Sequence, residues 1–296
     1  EISEIGNEIK TLTKEKLCIK KNNKIALLVD TLSLSAFKWF PIDKNLSYND
    51  VIRYIYDSLY EENFECDVVF SECADISKYE AIVCPALYCV SEALLKRLDD
   101  FVKNGGTLIG GFRSFIADRK VSVYKETLPA GLTECFGIHY DEFTHTLNMK
   151  VGGRELKYVA ELITIDSATE LYPYEHRYWD RYSAITCNEY GKGKAYYIGA
   201  YPDKEVLKKV LNQALAEIRK KKNVPISAGF PIITRCGVNE AGEELTYVFN
   251  YSLSEADIFI YGDNETGYKD IISGKLYMKG DKIKVEDWDL VVLKKM

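Results

Sequence analysis

Apolar and polar positions along the chain follow two regimes. Up to about residue 223, short continuous apolar runs alternate with stretches of helical periodicity. Beyond it, apolar and polar residues alternate almost one by one. Lys24–Asp30 (KIALLVD) is an unbroken apolar run ending in a carboxylate, the pattern of a strand buried on both faces. A loop with Trp39, Phe40 and Pro41 is expected next. Ser47, with Asp50 in the capping-box place, predicts a helix to about Glu62 that turns Val51, Ile52, Ile55 and Leu59 inward. Asp67–Phe70 and Ala81–Val83 read as strands. Ser91 predicts a cap for a helix whose stripe is Leu94, Leu95, Leu98, Phe101 and Val102. That helix ends at Asn104-Gly105-Gly106, where glycine tolerates a left-handed C′ position. Thr107–Gly111 is a fourth strand, and the segment from about Lys120 to Glu175 is less regular. Lys194–Gly199 reads as a strand and Glu205–Lys222 as a helix.

Strands and helices at these spacings require crossover connections, hence a parallel sheet with helices on both faces. After Pro225 the pattern changes. Leu245, Tyr247, Phe249 and Tyr251 alternate with Thr246, Val248 and Asn250, turns are signalled at Ser273-Gly274 and Lys279-Gly280-Asp281, and Trp288–Leu293 is a last strand. This predicts a small antiparallel β domain. At the other end, Ile2, Ile5, Ile9 and Leu12 keep helical spacing in a polar segment with little to pack on. The first residue, Glu1, stands in what reads as mid-helix, which suggests a piece of a longer protein.

Charge and composition narrow the function classes. The 296 residues carry a net charge of −6, are 47% hydrophobic and 28% charged, and contain no apolar run approaching a membrane span. An acidic balance argues against a nucleic-acid or anionic-membrane partner, which would want a basic face. The basic run Arg219-Lys220-Lys221-Lys222 ends a predicted helix, where cations suit the dipole. The eight cysteines are scattered, without a Cys-x-x-Cys pair. They read as free thiols of a cytoplasmic protein rather than a disulfide framework or a zinc site.

The carboxyl end of a parallel sheet is where such folds bind ligands. Asp30, Cys84-Pro85-Ala86-Leu87-Tyr88 and Gly110-Gly111-Phe112-Arg113-Ser114 stand there. Neither Ser114 nor Cys84 has the small flanking residues of a nucleophile elbow. The three histidines, His139, His145 and His176, are far along the chain, so a hydrolytic triad has little support. Gly191-Lys192-Gly193 precedes a strand, not a helix, and reads as a hairpin turn rather than a phosphate loop. The carboxylate pairs Glu61-Glu62, Asp141-Glu142 and Glu243-Glu244 read as solvated. Tyr172, Tyr174, Tyr178, Trp179 and Tyr182, with His176, Arg177 and Arg181, form the aromatic and arginine mixture of an interface centre or a core loop, ahead of a sugar-stacking surface.

Several segments, taken in order, resemble one family. Tyr79–Tyr88, Leu98–Gly106 and Thr107–Arg113 resemble the glutamine-amidotransferase-like domain of glycoside hydrolase family 42 β-galactosidases. Pro129–Leu132, Phe136–Ile138 and Asp141–Phe143 are similar to its next block, although Ala130 stands where glycine is usual and Val121–Leu128 lacks the usual glycines. The most specific likeness is Ser183–Thr186 followed by Asn188–Gly199. Phe249–Tyr251, Asp270–Gly274 and Asp287–Leu293 are similar to the family's small C-terminal β domain.

The resemblance implies a flavodoxin-like α/β trimerisation domain over 24–223, preceded by a linker helix (1–23) and followed by an antiparallel β domain (224–296). It also implies a homotrimer. In the family, both catalytic glutamates lie on a barrel that has no counterpart in this sequence, so no catalytic, cofactor or metal residue is assigned here. The chain is expected to be inactive alone and to meet a galactoside only in the full-length enzyme. Two alternatives stay open: a stand-alone amidotransferase-like hydrolase with Cys84 as nucleophile, and a carbohydrate-binding module using Tyr and Trp faces.

Overall fold

A strand apolar on both sides needs a layer above and below, and Ile25–Val29 (β1) has both. The computed structural model describes residues 2–14, 17–221, 225–226, 228–261 and 267–296. It forms two units, one of Asn23–Leu59 with Cys66–Ile218, the other of Glu1–Asn22, Tyr60–Glu65 and Arg219–Met296.

In the first unit β1 pairs in parallel with both β2 (Cys66–Phe70) and β3 (Ala81–Cys84). The latter pairs with β4 (Thr107–Gly111), and β4 with the strand Gly193–Ile198, again in parallel. The sheet is mixed rather than wholly parallel. Ser183–Tyr190 returns antiparallel through a hairpin turn, with Thr169–Pro173 beyond it. Gly191 makes that turn at φ +59, as the Gly-Lys-Gly spacing predicts.

Helices cover both faces. α4 (Glu92–Lys103), capped by the Ser91 hydroxyl at the Leu94 N–H, buries Leu94, Leu95, Leu98 and Val102 with Ala26, Leu28 and Ile82. Each such side chain contributes about 1.5–3 kcal/mol by leaving water. A second cluster takes Ala36 and Phe37 from α2 (Thr31–Trp39) and Val51 from α3 (Tyr48–Glu61), with Tyr88 and Phe112. The capping box of α3 is formed: the Asp50 N–H donates to the Ser47 hydroxyl at 3.2 Å, and the Ser47 N–H to the Asp50 carboxylate at 2.9 Å. α2 (Thr31–Trp39) corrects the expected loop. Asp30 caps it, accepting from the Ser33 N–H at 2.6 Å, and two serines weaken the apolar stripe that would have announced it.

In the second unit, Ile232–Val238, Glu244–Asn250, Leu290–Lys295 and Tyr268–Asp270 pair antiparallel. The alternation at 245–251 uses both faces. Val248 lies in the main β core with Ile258, Ile283 and Leu293. On the other face Leu245 packs with Ile271, Val292 and, from the N-terminal segment, Leu17 and Ile19. Tyr247, Phe249 and Tyr251 stack in a row there. α1 (Ile2–Lys14) leaves Ile2, Ile5 and Ile9 exposed, and the side chain of Leu12 lies outside the described residues.

Candidate functional site

The carboxyl end of the parallel sheet is filled with internal partners. The Asp30 carboxylate accepts from the Ser33 hydroxyl at 2.9 Å and from the Arg119 guanidinium at 2.8 Å. Arg119 also donates to the Cys89 carbonyl, and the Cys89 N–H donates to the Ser33 hydroxyl. Burial and the nearby Asp30 charge push the Cys89 thiol up to about 11, so it is a thiol and not a thiolate near neutrality.

The two nucleophile candidates are equally committed. Cys84 is wholly buried, and burial drives its thiol pKa far upward. Ser114 is wholly buried too; its hydroxyl donates to the Cys84 carbonyl and accepts from the Leu87 N–H, both at 2.9 Å. The histidines are elsewhere: the His139 ring pairs with Asp166 at 2.9 Å, and His176 Nδ1 accepts from the Tyr178 N–H. Among the described residues no serine or cysteine at this end has a histidine as hydrogen-bond partner, which is what acyl-transfer chemistry requires.

What sequence reasoning missed is Glu161. It ends the strand Lys157–Glu161, is wholly buried, and accepts from the Arg113 N–H at 2.8 Å and the Tyr197 hydroxyl at 2.9 Å. The Tyr197 and Tyr140 oxygens lie 3.1 Å apart, and the Tyr174 hydroxyl donates to the Glu161 carbonyl. Burial raises the Glu161 carboxyl to about 7, opposed by the Arg113 N–H and charge and by the tyrosine hydroxyls. An acid set inside the apolar run Tyr158–Ile163 was the available signal. Arg113 itself sits on the turn after β4 at φ +60, its guanidinium carbon near the rings of Tyr88 (5.2 Å) and Phe143 (4.9 Å).

The aromatic segment 172–182 divides. Tyr174 belongs to the core, whereas Tyr178 is exposed under the Arg177 guanidinium and Trp179 leans on Tyr182. An open groove of about 720 Å³ lies between Glu134, Asp166, Ser167, Asn188 and Tyr190. Asn188 is structural there, donating to the Glu134 and Cys135 carbonyls. Among the described residues no group of three or more metal-ligating side chains could hold a metal ion, and no helix is long and apolar enough to cross a membrane.

Comparison with known proteins fits this arrangement. The family model for the beta-galactosidase trimerisation domain matches residues 23–220, more than half of the chain. Beta-galactosidase LacZ of Lactobacillus acidophilus is 29% identical over 99% of this chain and 44% of its own length, and Beta-galactosidase BgaB of a Geobacillus species 26% identical over the same shares. The chain thus spans less than half of the curated relatives it matches. Two solved structures share its fold over 99% of its length: the beta-galactosidase of Bacillus circulans sp. alkalophilus (TM-score 0.84, 22% identity, 44% of that chain) and the GH42 beta-galactosidase Gan42B (TM-score 0.86, 24% identity, 43% of that chain). With two thirds of its residues inside that match, the chain belongs to the trimerisation-domain family of glycoside hydrolase family 42 beta-galactosidases.

Proposed function

We propose that this chain is the assembly region of a β-galactosidase: the α/β unit holds three subunits together, and hydrolysis of the galactoside is carried out by polypeptide outside these residues. The observation that carries this reading is the trimerisation-domain match over 23–220. The hydrogen-bonded, buried Ser114 hydroxyl and the buried Cys84 thiol support it, since neither is exposed to attack a substrate. The working division is a linker helix (1–23), the trimerisation domain in a flavodoxin-like, amidotransferase-type fold (24–223) and a β domain (224–296). A cytoplasmic setting is supported by eight unbridged cysteines. Sedimentation of the purified chain tests assembly: a trimer is expected, and a monomer at every concentration defeats it. An aryl galactoside should not be turned over by the chain alone.

A second reading, a carbohydrate-binding module, draws on Trp288, 63% exposed and edge-on to Tyr251 at 6.1 Å. Saturable binding of galactose that quenches Trp288 fluorescence would favour it.

A further inference from the structure

We propose that Arg113 anchors the contact between subunits, its guanidinium taking a carboxylate from a second copy of this chain. The inference rests on the assembly reading above.

Arg113 is held in a left-handed backbone conformation, φ +60, that long side chains rarely adopt. Such positions persist where the surrounding structure imposes them and concentrate at functional sites. The Glu161 carboxylate fixes the Arg113 N–H at 2.8 Å, and the guanidinium carbon lies 5.2 Å from the centre of the Tyr88 ring and 4.9 Å from that of Phe143. What is left is its edge. Nε is buried beyond the reach of another molecule and has no acceptor, and the two Nη groups make no hydrogen bond or ion pair with any described residue. A guanidinium carries five N–H donors in a planar fork that matches a carboxylate. Here the Nη edge makes no hydrogen bond, although the charge of the guanidinium already acts on the buried Glu161 carboxylate.

The surroundings favour a protein carboxylate over a free acid. Phe143, within 4.9 Å of the guanidinium carbon, is 54% exposed, an apolar neighbour of the kind that excludes water around an arginine anchor. Tyr88 and Arg113 complete the aromatic and arginine composition of interface centres. The patch lies within residues 23–220, the part that matches the trimerisation domain. The chain also has the complementary charge in excess, with Asp+Glu 45 against Lys+Arg 39.

The test compares the chain with Arg113→Asn and Arg113→Lys by sedimentation equilibrium over a concentration series. Asparagine tolerates the left-handed backbone. Arg113→Asn should therefore weaken assembly at least about tenfold, while the urea midpoint of the dilute, dissociated chain holds or rises. A purely structural arginine would lower both. Arg113→Lys keeps the charge without the fork and should fall between; if it assembles as well as the parent chain, the inference fails, whether or not Arg113→Asn folds. Equal assembly of Arg113→Asn and the parent overturns the inference and leaves the trimer reading standing. A parent chain that never assembles defeats both. Sodium acetate that stabilises the dissociated parent chain but not Arg113→Asn would put a free acid in the fork and overturn the second-copy assignment.

Discussion

The Glu161 carboxylate accepts a 2.9 Å hydrogen bond from the Tyr197 hydroxyl in a place solvent does not reach. Its ionised form is disfavoured there: burial raises the carboxyl from an ordinary 4.5 to about 7. Because the folded value lies above the unfolded one, the folded state binds this proton more tightly. The stabilisation is complete below about pH 4.5 and is lost as pH rises through 7. The whole difference is on the order of 3 kcal/mol. Glu161→Gln keeps an acceptor for Tyr197 without a charge. It should be more stable than the parent at pH 8 and lose that advantage at pH 5. Urea unfolding of both chains at the two pH values checks this; an unchanged difference contradicts the buried-charge account.

Gly193 makes a second prediction. A Cβ there would lie 2.2 Å from the Gly106 carbonyl oxygen and 2.4 Å from that of Val102, backbone atoms at the end of α4 that cannot swing aside. Gly193→Ala should push the Ser183–Ile198 hairpin off α4 at a cost of about 3 kcal/mol or more. Gly229→Ala is a control for crowding, since nothing stands within 4 Å of its added carbon and its backbone is not left-handed. Thermal melts that rank the two variants equally would refute close approach as the reason for glycine at 193.

The Gly191-Lys192-Gly193 turn was legible from sequence because a two-strand pattern with glycines between has one cheap solution. β1, β3 and β4 were legible for a similar reason, as apolar runs with no polar residue to expose. α2 was not, because Ser33 and Ser35 break its stripe and the cap at Asp30 is visible only once Arg119, far along the chain, closes on it. The Glu161, Arg113 and Tyr197 cluster was hidden for the same cause. Its members come from three strands or turns separated by tens of residues, and one acid in an apolar run gives no hint of which donors will meet it. The row Tyr247, Phe249 and Tyr251 was recognised as a strand face, but not that Thr246, Val248 and Asn250 on the opposite face are the more deeply buried set.

Asn250 is the reason that face is coherent. Wholly buried, its amide donates to the Ser254, Val285 and Glu286 carbonyls at 2.8, 3.2 and 2.9 Å, tying two loops to the strand. Asn250→Ala leaves those carbonyls without their donor and should destabilise the β unit by about 2–4 kcal/mol. The Trp288 fluorescence transition in urea, with Trp39 and Trp179 replaced by Phe, reports it locally. A midpoint within error of the parent would show that water replaces the amide without loss.

Asp30 performs two tasks at the end of β1, capping α2 through Ser33 and neutralising Arg119. The cap contributes about 0.5–2 kcal/mol. Removing one partner of a largely buried ion pair costs more than a surface pair does, because the other charge is left uncompensated. Arg119 softens that loss, since it is partly exposed and has Glu72 at 3.7 Å as a second acid. Asp30→Ala should therefore cost about 2–4 kcal/mol, and Asp30→Asn less, because an amide oxygen can still receive the Ser33 N–H. Equilibrium unfolding followed by circular dichroism should show a lowered midpoint with an unchanged slope. If Asp30→Ala and Asp30→Asn proved equally destabilising, the ion pair with Arg119 would carry the whole effect and the helix cap none of it.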